Sequence, residues 1–182
     1  MVNKEFILNN VTVVLIDMQS LFVNNLRPGC ANKIIPAQRR VLETCRDFEI
    51  PVIVVEMVGE GKTIAPLLKV VLECSKRDFV YKEKNSGFSN PFFLNRLHHH
   101  GTRTVLCTGI NAAYCITVTI ENAINHDFNV ITAQDLIGGA VSNARYVHPA
   151  DDRIPYFRSI GVGVFSDAGT LISILSSQRR VT

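Results

Sequence analysis

The 182-residue sequence contains no tryptophan, no run of like charges and no Cys-x-x-Cys pair. No segment approaches the ~20 apolar residues that a membrane span requires. Each absence excludes something. Without charge blocks or low-complexity tracts, a disordered tether or an acidic tail has nothing to rest on, and 47% hydrophobic with 19% charged residues fits a globular chain. Lys and Arg total 19 against 16 Asp and Glu, a formal net charge of +3. The basic residues are scattered apart from pairs such as Arg39-Arg40, so the concentrated stripe of a nucleic-acid groove is missing. Five cysteines (Cys30, Cys45, Cys74, Cys107, Cys115), odd in number and widely spaced, disfavour a disulfide framework and a structural zinc site. The first ten residues lack the apolar core of a secretory signal. The expectation is a cytoplasmic protein with free thiols and neither a membrane nor a nucleic-acid partner.

What is present is alternation. Short, continuous apolar runs recur at 11–16, 51–55, 79–81, 104–107, 129–132 and 161–165, and between them 31–48, 64–74, 91–98, 112–125 and 168–176 carry apolar residues at three- and four-residue intervals. Continuous rather than alternating runs mean strands buried on both faces. The pattern predicts one α/β domain over residues 1–182, a three-layer α/β/α arrangement around a mostly parallel sheet of about six strands. The stretch 138–155 reads as a surface connection containing a short helix.

In such sheets ligands bind beyond the carboxyl ends of the strands, which singles out three residues. Asp17 follows the first run, Lys82 follows the third, and Cys115 opens the helix after the fourth. A thiol near a helix N-terminus is expected to have a lowered pKa. An aspartate at a strand end can take a thiol proton and return it to a leaving amine, with a lysine setting the charge. Singly, each also fits an ordinary role: a cap, a solvated charge, a small buried hydrophobe.

The surrounding residues narrow the choice. Leu15-Ile16-Asp17-Met18-Gln19-Ser20-Leu21-Phe22 resembles the opening (I/L)DxQxxF signature of the isochorismatase-like cysteine hydrolases. Lys82-Glu83-Lys84-Asn85-Ser86-Gly87-Phe88 resembles their K-x-x-x-S-(A/G)-F motif, and the spacing to Phe88 selects Lys82 over Lys84. Gly109-Ile110-Asn111-Ala112-Ala113-Tyr114-Cys115 resembles the third motif, a glycine six residues before the nucleophile. Order and intervals match across most of the chain.

The resemblance implies an Asp17, Lys82, Cys115 triad hydrolysing a small amide, ureido or carbamoyl substrate through a covalent thioester-type intermediate, without cofactor. It implies a cis peptide at Ile110–Asn111, oxyanion donors at the N–H groups of Cys115 and Asn111, and a homo-oligomer, a dimer or larger. Phe22, Glu56, Phe88 and Tyr114 are candidate substrate contacts. Two departures bear on the substrate. Ala112 and Ala113 replace the polar residues many relatives carry, which suggests a more apolar pocket and a less well capped turn. The metal-binding histidines of the nicotinamidase branch have no counterpart in Val55-Glu56-Met57-Val58-Gly59-Glu60-Gly61-Lys62. His98-His99-His100 reads as a polar helix end, since adjacent helical residues diverge by about 100°. The alternatives are an isochorismate-type vinyl-ether hydrolase and a non-catalytic ligand-binding or redox-sensing protein.

Overall fold

Val11-Thr-Val-Val-Leu-Ile16 is buried at every position, which only a strand covered on both faces can satisfy. It forms β1 of a computed structural model that describes residues 10–139 and 150–178. The other strands are β2 (Val52–Met57), β3 (Arg77–Lys82), β4 (Thr104–Ile110), β5 (Asn129–Ala133), β6 (Ile137–Gly138) and β7 (Gly163–Phe165). All pairs are parallel, in the order β3-β2-β1-β4-β5-β7, with β6 pairing with β4. The sheet therefore has seven strands where the sequence pattern indicates about six. The addition is β6, whose two residues are too few to show any periodicity.

The helices are α1 (Ser20–Asn24), α2 (Cys30–Asp47), α3 (Ala65–Glu73), α4 (Pro91–His99), α5 (Thr117–Asn125), α6 (Ala150–Ser159) and α7 (Ala168–Gln178). Val13, Leu15, Val52 and Val54 on one sheet face pack with Val41 and Leu42 of α2, Leu67 and Val71 of α3, and Leu171 of α7. Val14, Ile16, Ile53 and Val55 on the other pack with Phe93 and Leu97 of α4, Ile120 of α5 and Phe157 of α6. Alternate residues of one strand thus belong to two cores, as the pleat requires. The expected helix over 112–125 is divided: Ala112–Ile116 form a π-helical turn and α5 follows. The expected connection over 138–155 contains the start of α6, while residues 140–149 lie outside the described residues.

The chain runs outward from β1 to β3, then returns to the other side of β1 with β4. That reversal places a crevice beyond the carboxyl ends of β1 and β4. Here Ile16 pairs with Gly109. Gly109 has φ +127°, and a Cβ there would overlap the Ile16 backbone. Only glycine lets the two strands approach this closely at this point.

Candidate active site

Three strand ends build the site. Asp17 leaves β1 in the left-handed region (φ 53°), a conformation aspartate tolerates better than most residues, and its N–H donates to Val55 O at 2.9 Å. The turn directs the carboxylate into the interior, where the residue is 2% exposed. Lys82 ends β3, is equally buried, and places Nζ 2.8 Å from Asp17 Oδ2 and 3.1 Å from the Asn85 carbonyl oxygen, to which it donates. Cys115, 9% exposed in the turn after β4, interacts through its sulfur with both Asp17 and Lys82. A carboxylate, an ammonium and a thiol from positions 17, 82 and 115 thus meet at one rim of the sheet. Lys84 is exposed.

Burial dominates the electrostatics. Loss of water raises the Asp17 pKa above its ordinary 3.8, the Lys82 charge and hydrogen bond oppose that rise, and the nearby Glu56 adds to it. For Cys115, burial and then the Asp17 charge push the thiol up to about 11, against the pull of Lys82. This corrects the expectation of a thiol activated by a helix end. The sulfur lies in the π-helical turn, α5 begins only at Thr117, and burial is the largest influence on the thiol. A thiol raised this far is neutral at neutral pH. Among the described residues, Asp17 Oδ1 has no well-formed hydrogen bond, so the carboxylate keeps acceptor capacity in reserve.

Comparison with known proteins places the chain in a family. Residues 11–148 match the family model described as Isochorismatase domain. The chain belongs to the isochorismatase family. Isochorismatase family protein 1A of Dictyostelium discoideum is 24% identical over 143 residues, which cover 76% of this chain and 68% of that protein. Among solved structures, MAR1 ribonuclease from Caenorhabditis elegans aligns with TM-score 0.76 and 22% identity, over 90% of this chain and 79% of that one. N-carbamoylsarcosine amidase from Thermoplasma acidophilum aligns with TM-score 0.69 and 21% identity, over 85% and 94% of the two chains. At these identities the structural likeness is one of fold, and a fold carries different chemistries.

The family motifs acquire structural reasons. Gln19 is fully buried and its amide ties the end of β1 to the loop after β2: Nε2 donates to Met57 O (3.0 Å) and Gly61 O (2.6 Å), and Oε1 accepts from Met57 N (2.8 Å). Ser86 Oγ caps the following 3₁₀ turn by accepting from Phe88 N at 3.1 Å and donates to Asn122 Oδ1 at 2.8 Å. A Cβ on Gly87 would press on the Phe93 ring at 3.2 Å, which keeps that position small.

The Ile110–Asn111 peptide is cis. The turn after it is capped despite Ala112 and Ala113: Asn111 Oδ1 accepts from Ala113 N at 3.2 Å, and Thr117 Oγ1 donates to Ala112 O at 2.6 Å. The four candidate substrate contacts fare differently. Glu56 is 3% exposed, and its Oε1 accepts from both Thr63 N (2.6 Å) and Thr63 Oγ1 (2.8 Å), which ties it to the loop after β2. Phe22 is partly buried against the core on one face of the sheet. Phe88 meets Phe93 edge-on at 4.8 Å and stacks on His126 at 5.0 Å. Tyr114, next to Cys115 in the chain, is 45% exposed. His100 Nε2 lies 2.6 Å from Asp78 Oδ2, with Arg96 on the other carboxylate oxygen at 2.8 Å. Among the described residues no three His, Cys, Asp or Glu side chains converge on a metal position.

The motif reading missed Asn85. It occupies a position the K-x-x-x-S-(A/G)-F pattern leaves open, yet its carbonyl holds Lys82 and its side-chain Oδ1 lies 4.0 Å from Cys115 Sγ. Its three-residue separation from Lys82 was the available signal.

Proposed function

We propose that this isochorismatase-family chain is a cofactor-independent cysteine hydrolase of small amide, ureido or carbamoyl compounds, with Asp17, Lys82 and Cys115 as its catalytic residues. The supporting observation is the buried ion pair, Lys82 Nζ to Asp17 Oδ2 at 2.8 Å, in contact with a thiol. The amidase among the fold's relatives is consistent with that chemistry.

Because the resting sulfur is protonated, attack and deprotonation are coupled. The Cys115 proton passes to Asp17 as the sulfur–carbon bond forms, and Lys82 keeps the carboxylate ionised until that moment. The tetrahedral oxyanion is held by the N–H groups of Cys115 and Asn111. Their neighbours are engaged elsewhere: Tyr114 N and Ile116 N donate to Asn111 O at 3.1 Å, and Ala113 N to Asn111 Oδ1. Collapse breaks the carbon–nitrogen bond, and the amine leaves with the proton from Asp17. Water, deprotonated by Asp17, then cleaves the thioester-type intermediate and restores the thiol.

The test is a panel of amides and ureas assayed for amine or ammonia release, with Cys115→Ala as control. Release that vanishes in the variant supports the reading. Full turnover of isochorismate by Cys115→Ala would replace it with vinyl-ether hydrolysis. Rapid peroxide oxidation of Cys115 without hydrolysis of any compound in the panel would replace it with a redox-sensing role.

A further inference from the structure

We propose that Asn85 selects the acyl side of the substrate. Its side-chain oxygen accepts a hydrogen bond from an N–H that stays on the reacting carbonyl carbon after the leaving amine has gone, so carbamoyl and ureido groups are taken in preference to plain carboxamides. This rests on the cysteine-hydrolase reading and narrows it.

Two bonds fix Asn85 against the triad. Its backbone carbonyl accepts from Lys82 Nζ at 3.1 Å, which ties the residue to the buried ammonium. Its Oδ1 then faces the nucleophile, accepting from the Cys115 thiol at 4.0 Å. Among the described residues no other group holds that amide, and the residue itself is exposed while Cys115 beneath it is buried. Asn85 is thus an exposed residue in contact with a buried sulfur, on a side that a substrate can reach from solvent.

In the free enzyme the thiol is the donor to Oδ1. Once sulfur bonds to carbon, its proton has gone to Asp17 and Oδ1 loses that donor. A substituent on the new carbonyl carbon is two bonds from Sγ, within reach of an acceptor 4.0 Å from the sulfur. An N–H there replaces the lost hydrogen bond. A methyl or methylene leaves the acceptor unpaired and occupies its approach, and a site with a polar group aimed at the ligand discriminates against an analogue lacking the partner. The side chain is partly solvated, so the discrimination is moderate, about tenfold.

Two reagents produce the two kinds of adduct on the intact protein. Cyanate, as isocyanic acid, adds the thiol across its carbon–nitrogen double bond: the sulfur–carbon bond forms, the thiol proton ends on nitrogen, and S-carbamoyl cysteine results. p-Nitrophenyl acetate transfers its acetyl group with loss of p-nitrophenol and gives S-acetyl cysteine, which has no N–H. The ratio of the two labelling rates at Cys115, followed by peptide mass mapping, removes any general change in thiol reactivity. Asn85→Ala is expected to lower the carbamoylation-to-acetylation ratio about tenfold, and Asn85→Asp, which keeps an acceptor, to restore most of it. An unchanged ratio in Asn85→Ala, or an equal loss in both variants, overturns the proposal. If wild-type Cys115 takes neither reagent faster than the buried Cys45, the cysteine-hydrolase reading itself fails and this proposal with it.

Discussion

Burial and charge oppose one another at Asp17, and the balance sets how the site responds to pH. Its carboxyl is raised above 3.8 chiefly by desolvation, with Lys82 holding it back. Since Asp17 must be ionised to take the thiol proton, kcat/KM should fall on acidification with a midpoint above 3.8; a pH–rate profile with its acid limb at or below that value contradicts the assignment. Cys115 supplies a second dependence. Its folded pKa is raised from 9.0 to about 11, so the folded state binds the proton more tightly than the unfolded one. The stability from this thiol is fully present below pH 9 and is lost as pH rises toward 11. Urea midpoints measured at both ends of that interval should fall less in Cys115→Ala than in the wild type. Removing Lys82 alone leaves a buried carboxylate without its cation, at a cost of about 3–5 kcal/mol. Lys82→Met should be destabilised accordingly, and adding Asp17→Asn should recover part of the loss in a double-mutant cycle read by denaturation.

Loops and strand ends, rather than strand interiors, decide whether those residues meet. Gln19 makes two hydrogen bonds to Met57 at the end of β2 and one to Gly61 in the loop that follows, and Gln19→Leu removes all three and buries an apolar side chain facing those polar groups. A loss of about 2–4 kcal/mol is expected, with reduced activity because Asp17 is only two residues away. Gly109→Ala meets the Ile16 backbone itself, and backbone cannot rotate aside as a side chain can. No soluble folded protein, or a cooperative transition lost in circular dichroism, is the expected result; a well-folded variant would refute the close-approach argument. At this scale legibility followed length. β1, β2 and β4 were readable because burial on both faces forces continuous apolar runs. The five-residue α1 and two-residue β6 were not, since neither completes a diagnostic period. The π-helical turn was read as helix because its apolar spacing is helical; the difference lies in Asn111 O accepting from both Tyr114 N and Ile116 N, a bond pattern with no signature in composition.

For the molecule as a whole, the sheet has edges to cover. β3 is one edge strand, and Val58, Tyr81, Phe92 and Leu72 expose large apolar side chains. Unpaired strand edges and apolar surface are commonly shielded by association. Light scattering coupled to size exclusion should therefore give a mass that is a multiple of the 20.2 kDa chain; a clean monomer would show that this surface serves otherwise. Among the described residues no helix is long and apolar enough to cross a membrane.

The sequence by itself determined the alternation of strands and helices, the two-sided burial of the sheet, and which aspartate, lysine and cysteine stand at strand ends, because periodicity and motif spacing are properties of the chain. Tertiary structure alone decided the rest. It committed Glu56 to Thr63 and Phe88 to Phe93 and His126, brought Asn85 to the sulfur, and made Cys115 a neutral thiol. Desolvation and hydrogen-bond partnership depend on what surrounds a group in space, and residues far apart in the chain supply those surroundings.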